Sequence, residues 1–140
     1  MHNPLMADVE IGTGLVAVKS PALERGAIFD ALFARRAYAT SGDRILLDVR
    51  YGAFEMGDEV SDGGPFSLSI SVDGTTDIKT IQVLNDGKVV HEVSPSSISA
   101  QVSWTEAQQA RPGKTTAYWV RVIQDNNEEA VSSPIWWTPV

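Results

Sequence analysis

The stretch Phe66-Ser67-Leu68-Ser69-Ile70-Ser71-Val72-Asp73 decides the fold of this chain, because apolar and polar residues alternate through it. A period of two residues is typical of a β-strand with one buried face and one wet face. A similar alternation, in places only partial, predicts further strands at 44–51, 78–84, 97–104 and 116–124. Short strands separated by turn signals favour an immunoglobulin-like antiparallel β-sandwich, which we place at residues 43–140.

Turn residues separate these strands in the second half of the chain. Asn85-Asp86-Gly87 predicts a hairpin, because Asn and Gly accept positive φ at little cost, and residues 88–93 are its returning strand. Arg111-Pro112-Gly113-Lys114 predicts a second turn. Residues 131–138 form the predicted last strand, where Pro134 favours a sheet edge or a bulge.

A different period governs the N-terminal part. Residues 1–13 show no pattern and are expected to be flexible, whereas 14–19 is an apolar run that predicts a buried strand. Ser20 as N-cap and Pro21 at the first helical position predict the start of a helix of about 14 residues. The boundary to the sandwich falls near Gly42, so 14–42 is one strand-helix segment. The apolar stripe of the predicted helix comprises Leu23, Ile28, Phe29, Leu32 and Phe33.

Composition excludes several classes of function. The 140 residues carry 11 Lys and Arg against 18 Asp and Glu, and the net charge of −7 argues against nucleic acid and anionic membranes as partners. The absence of cysteine rules out disulfides, cysteine-zinc sites and thiol catalysis. No signal peptide and no membrane-spanning run is present, so we expect a soluble protein, either cytoplasmic or periplasmic.

The chain has too few ligands for a catalytic metal centre. Its two histidines, His2 and His91, lie on different elements, whereas a site for two or three metals needs several. We therefore expect no catalytic residue, no bound metal and no cofactor in this chain. An acidic stretch that could suit calcium is interpreted as a solvated connection; it contains Glu55, Asp58, Glu59 and Asp62.

Two groups of residues are candidates for binding. Trp119, Trp136 and Trp137 would stack on sugar rings if they were exposed, or fill the core or an interface to another domain if they were buried. Arg35, Arg36 and Tyr38 lie where the predicted helix ends. They would either position that end against the sheet or approach a substrate phosphate, and we favour the structural role.

Several motifs taken together resemble the C-terminal region of bacterial hydrolases similar to the PHP (polymerase and histidinol phosphatase) superfamily. The motifs are Ala27–Leu32, Arg35–Gly42, the set Tyr118, Arg121 and Gln124, and Ser132–Trp136, although Val131 stands where the family usually has Trp. The resemblance implies that residues 14–42 close a metal-binding barrel and that a β-sandwich follows. The family's metal ligands would lie upstream of Gly14, so none is transferred to this chain.

The resemblance implies that this chain is a non-catalytic scaffold or capping domain of a PHP-like metal-dependent hydrolase. A divalent metal is implied only for a longer parent protein. The expected partner is the missing N-terminal catalytic domain or a second copy of the chain, and the isolated chain is expected to be a homo-oligomer. The alternative is a carbohydrate-binding module that uses exposed aromatic residues.

Overall fold

The computed structural model describes residues 14–108 and 111–140, which form a mainly β structure with one short helix. The strands are joined almost entirely by antiparallel pairing into a curled sheet. No helix in these ranges is long and apolar enough to cross a membrane. The elements are β1 (Leu15–Val18), α1 (Arg25–Phe33), β2 (Ala37–Thr40), β3 (Leu46–Tyr51), β4 (Phe54–Glu55), β5 (Glu59–Asp62), β6 (Ser67–Asn85), β7 (Lys88–Val93), β8 (Ser97–Thr105), β9 (Thr116–Gln124), β10 (Glu129–Ser132) and β11 (Ile135–Pro139).

The long strand β6 organises the sheet. The sequence predicted separate strands around 66–73 and 78–84, but these are one continuous strand of 19 residues. Its first half pairs with β3 and β8, and its second half pairs with β7 and β9. The pairing register shifts after Asp73, where Gly74 leaves no room for a side chain: a Cβ there would lie 2.7 Å from Gln124 Oε1. The glycine therefore allows β6 to change partners without a break.

The predicted alternation produces the core. Leu68, Ile70 and Val72 are at most 2% exposed, and the second half of β6 adds Ile81 and Val83 to the same core. Each such side chain contributes roughly 1.5–3 kcal/mol when fully buried. Three aromatic rings surround the buried Phe66, with centroids at 4.3 Å for Tyr118, 4.7 Å for Tyr51 and 5.2 Å for Trp137.

The turn predictions in the second half of the chain are confirmed. Asp86 and Gly87 have φ of 48° and 89°, and they join β6 to the returning strand β7. The strand predicted at 116–124 is β9. The predicted last strand is divided at Ser133-Pro134 into β10 and β11, since proline cannot donate a ladder hydrogen bond. Both parts pair with β9, and β11 also pairs in parallel with β5.

The N-terminal segment joins the sheet but is not buried as predicted. β1 pairs with β2, and β2 pairs with β10, so β1 is an edge strand among residues 14–108 and 111–140. Leu15 is 40% exposed and Val16 is 67% exposed, which corrects the prediction of a buried strand. The strand β2 was not predicted from the sequence.

The predicted helix start was also wrong. Helix α1 begins at Arg25, and its N-cap residue Glu24 makes no side-chain cap. Ser20 instead uses its hydroxyl within its own turn, where it donates to the carbonyl of Ala22 at 2.7 Å, and this local bond competes with helix capping. The apolar stripe points largely to solvent: Leu23 is 96% exposed, Phe33 78% and Phe29 62%, while Ala31 is the buried residue of the helix.

Candidate functional site: an arginine and acid junction beside Trp136

Three parts of the chain meet at the end of α1. They are residues 34–36 after the helix, the turn between β4 and β5, and the break between β10 and β11. The amide of Gly57 donates to the carbonyl of Pro134 at 2.7 Å, and the amide of Trp136 donates to the carbonyl of Asp58 at 3.0 Å. We call this region the arginine junction and define it by Arg35, Arg36, residues 55–59 and Trp136.

Gly57 permits the close approach at the centre of the arginine junction. Its φ is +96°, and an added Cβ would lie 2.4 Å from the carbonyl oxygen of Ala34 and 2.6 Å from that of Arg35. No side chain fits at that distance, and few L-residues adopt that backbone conformation. The helix end can therefore rest directly on the β4–β5 turn only because residue 57 is glycine.

Arg36 holds the acidic turn in place. Its guanidinium lies 2.6 Å from Glu55 Oε1 and 2.7 Å from Asp58 Oδ1, and it donates to the carbonyl of Met56 at 2.9 Å. The Arg36 side chain is 22% exposed, and the two carboxylates are similarly half-buried. A guanidinium that spans two carboxylates and a carbonyl has a fixed geometry, which suits a structural fastening.

Arg35 is the more exposed member of the pair. It has a left-handed backbone with φ of 61°, and its Nε and Nη2 donate to the carbonyl of Gly57 at 3.0 and 2.9 Å. Its guanidinium lies 4.9 Å from the centroid of the Trp136 ring, a cation–π arrangement, and 3.9 Å from Glu59. Arg35, Glu59 and Trp136 thus form the outer side of the arginine junction.

The remaining predicted site residues lie in different surroundings. Tyr38 is buried and donates to the carbonyl of Ile45 at 2.9 Å, and burial raises the pKa of its hydroxyl. Trp137 is 4% exposed. Trp119 lies on the outward face of β9, opposite Leu84 of β6, on the same face as Trp136. The structure thus brings Arg35, Arg36 and Trp136 together, whereas Tyr38 and Trp137 belong to the core.

Trp137 belongs to a polar cluster around Asp62. Asp62 accepts hydrogen bonds from the Trp137 indole at 2.8 Å, the Tyr51 hydroxyl at 2.7 Å and the amide of Gly64 at 3.0 Å. Burial alone would raise the pKa of Asp62, but these three bonds outweigh it and hold that pKa below its usual value. Burial, with the neighbouring Asp62 carboxylate, raises the pKa of Tyr51 to about 12.

The acidic stretch predicted as a solvated connection is therefore bound to the rest of the fold. Glu55 and Asp58 pair with Arg36, Glu59 faces Arg35, and Asp62 holds Trp137. Parts of the stretch form β4 and β5.

Within 14–108 and 111–140, no three His, Asp or Glu side chains are grouped as they would be around a metal ion. His91 stacks on Trp104 with centroids 6.2 Å apart, and His2 lies outside the described residues.

A second polar network was not foreseen from the sequence. Gln124 is fully buried; its Oε1 accepts from the amide of Thr75 at 2.8 Å, and its Nε2 donates to Asp43 Oδ2 at 3.1 Å. Hydrogen bonds from Thr75, Asn126 and Gln124 lower the pKa of Asp43. Next to it, Ser41 accepts from the amide of Glu129 at 2.8 Å. The residues after β2 are thus fastened to the β9–β10 turn. The residues before β2 are fastened by Arg36 to the β4–β5 turn.

A shallow polar cavity of about 290 Å³ at the other end of β9 was also missed. Tyr118 and Glu106 line it, and the tyrosine hydroxyl lies 3.1 Å from Glu106 Oε2. Burial, with the charge of Glu106, raises the pKa of Tyr118. The sequence did not indicate this contact, because Glu106 and Tyr118 are 12 positions apart and meet only in the folded sheet.

The fold and the arginine junction define a mainly β protein whose helix end is fastened to the β4–β5 turn, and one family model matches this chain. The model of DUF3604, described as a protein of unknown function, matches residues 5–74, which is half of the chain. The chain belongs to the DUF3604 family.

Three relatives from Chlamydia extend the match along the chain. An uncharacterised protein of Chlamydia pneumoniae is 32% identical over 143 residues, which cover 91% of this chain and 23% of that protein. Uncharacterised proteins of Chlamydia trachomatis and Chlamydia muridarum are 31% and 30% identical, each over 88% of this chain and 22% of the relative. The chain therefore spans less than a quarter of the length of these relatives.

Proposed function

We propose that the chain is an immunoglobulin-like β-sandwich that supports or caps the catalytic domain of a longer, PHP-like metal-dependent hydrolase. The observation that carries the proposal is an exposed apolar surface on a firmly fastened element. We call it the α1 face; its members are Leu15, Val16, Leu23, Phe29, Leu32 and Phe33. Large exposed apolar side chains on neighbouring elements favour a site that another surface covers.

The arginine junction explains why the α1 face suits a docking role. A helix of nine residues is too short to be stable on its own in water. Its C-terminal end is nevertheless fixed by Arg35 and Arg36 to the β4–β5 turn, and the residues beyond β2 are fixed by Ser41 and Asp43. A fastened helix that exposes Phe29 and Phe33, with ring centroids 5.9 Å apart, presents a preformed surface to a neighbouring domain.

The length of the relatives supports a larger parent. Matching regions that account for 22–23% of each Chlamydia protein leave most of each relative free to form other domains. In this proposal the divalent metal and the catalytic residues belong to that remainder. The sandwich assignment for residues 43–140 is supported by the curl of β6, whose two halves direct their apolar side chains into one core.

The alternative, a carbohydrate-binding module, receives less support from the tryptophans. Trp137 is buried, Trp136 is covered on one side by Arg35, and Trp119 is half-buried. A sugar platform needs aromatic faces that are flat and open. Titration of the chain with a glycan panel, followed by tryptophan fluorescence, separates the two proposals: saturable binding that Trp119→Ala abolishes would favour the module.

The experiment that tests the scaffold role uses the Chlamydia pneumoniae relative. Its hydrolysis of p-nitrophenyl phosphate is measured with Mn²⁺ and with EDTA, and compared with that of a form lacking the region matched by this chain and with that of this chain alone. We expect chelator-sensitive hydrolysis only in the full-length protein, and a lower melting temperature or aggregation in the shortened form. Hydrolysis by this chain alone, or a shortened form with unchanged activity and stability, would contradict the proposal.

A further inference from the structure

The strand β8 leaves one edge of the sheet open. β8 pairs with β6 along nearly its whole length, and no described residue pairs with its other edge. The amide of Glu106 donates to the carbonyl of Phe66, and hydrogen-bonded pairs alternate along an antiparallel ladder. The backbone groups of Trp104, Val102 and Ala100 therefore point to β6, and those of Thr105, Ser103, Gln101, Ser99 and Ser97 point away from it.

Along residues 97–105 this edge lacks charged side chains and prolines, two of the features that usually protect one. Sheet edges are guarded by charged side chains, prolines, bulges or short strands. Residues 97–105 read Ser-Ile-Ser-Ala-Gln-Val-Ser-Trp-Thr, nine residues without a charge or a proline. The adjoining strand β7, by contrast, carries Lys88, His91 and Glu92. Only the carbonyl of Ser99 has a partner on the open side among the described residues, the hydroxyl of Ser97 at 2.6 Å.

The apolar face of β8 is also incompletely covered. Ala100, Val102 and Trp104 pack against the core but are only partly buried, and Ile98 is 52% exposed. Their partners on β6 are at most 2% exposed. The difference arises because β6 has a neighbouring strand on each side, whereas β8 has one.

We infer that β8 pairs with β8 of a second copy of this chain, in antiparallel register about a two-fold axis at Gln101. In this register Ser99 lies opposite Ser103 and Ser97 opposite Thr105, so small hydroxyl residues meet on the wet face. Ile98 lies opposite Trp104 and Ala100 opposite Val102, so apolar residues meet on the core face and cover one another. No like charges meet along the strand, and the outward backbone groups gain partners.

The oligomeric state of the chain and of position-101 variants tests this inference. Gln101 is exposed and its amide points outward, so Gln101→Pro removes a donor from the open edge without breaking the ladder to β6. Gln101→Ala is the matched control, because it keeps the amide. We expect light scattering to give twice the chain mass of 15.2 kDa for the wild type and Gln101→Ala, and the single mass for Gln101→Pro with an unchanged circular dichroism spectrum.

Two further variants keep the test decisive. Gln101→Lys places two ammonium groups opposite each other, so the dissociation constant should rise at least tenfold, with a smaller rise at high salt. Phe33→Asp alters the α1 face and should leave the β8 dimer intact. A monomeric wild type, a dimer that survives both Gln101→Pro and Gln101→Lys, or a dimer lost only in Phe33→Asp would overturn the inference.

Discussion

Replacement of Gly57 by alanine should loosen the arginine junction. The added Cβ would lie 2.4 Å from the carbonyl oxygen of Ala34 and 2.6 Å from that of Arg35. Both oxygens belong to backbone, so no side chain can swing away to make room. The helix end and the β4–β5 turn would have to separate by roughly 1 Å, the shortfall from ordinary van der Waals contact.

Two costs add up at this position. Alanine at positive φ costs about 1–2 kcal/mol, and overpacking against backbone costs about 1–3 kcal/mol more. We therefore expect Gly57→Ala to lower the free energy of unfolding by about 3 kcal/mol. The entropy of unfolding is about 2.1 cal/mol/K per residue, so for 140 residues 1 kcal/mol corresponds to about 3–4 °C. The melting temperature should fall by roughly 10 °C.

Gly52→Ala is the matched control for this prediction. Gly52 also has positive φ, +58°, but an added Cβ there meets nothing within 4 Å. Gly52→Ala should carry only the backbone cost, so calorimetry should show a fall in melting temperature of about 3–7 °C. Trypsin adds a local measurement, because a separated junction exposes the bonds after Arg35 and Arg36 to cleavage. Equal melting temperatures and equal cleavage rates for the two variants would refute this account of Gly57.

Three further predictions concern the junction, the Asp62 cluster and the α1 face. Arg36→Ala leaves Asp58 without its cation and leaves Glu55 only the more exposed Arg50, 3.4 Å away, so it should cost about 2–3 kcal/mol in thermal melts. Removal of the 45% exposed Arg50 side chain should cost under about 1 kcal/mol, and equal losses would count against the fastening role. Asp62→Asn should lower the melting temperature at pH 7. Because the folded-state pKa of Asp62 is depressed, the gap to wild type should shrink as the pH falls from about 4 through that pKa; a gap that stays constant in acid would contradict this. Phe33→Asp should change stability by no more than about 0.5 kcal/mol, since the side chain is 78% exposed, and a larger loss in chemical denaturation would show that it packs within the chain.

Local patterns were enough to predict the strands of the second half. The alternation in β6, the Asn85-Asp86-Gly87 turn and the run 116–124 each depend on neighbours within a few positions, and each lies where the sequence placed it. The division of the last strand follows from Pro134, which the sequence marked as an edge or bulge position.

Long-range pairing determines what the sequence did not reveal. β2 is four residues long and is held by β1 on one side and by β10 on the other, with Thr40 opposite Ala130. The acidic stretch and the arginine pair were both noticed, but about 20 positions separate Arg36 from Glu55 and Asp58, and neither motif indicates the other. Gly57 is also more than 20 positions from Ala34 and Arg35, so the sequence did not indicate that it lies against their carbonyl groups.

The continuity of β6 also sets the order in which the chain can fold. β7 and β8 follow β6 closely along the chain, so they can pair with it early. β3 and β9 must reach it from opposite directions, because Leu46 pairs with Asp73 and Tyr118 with Asn85. Pairings between distant residues form slowly, since loop-closure entropy is lost before contacts compensate for it. Until both arrive, a 19-residue strand holds apolar side chains in water, and the chain is then most open to pairing with the wrong edge.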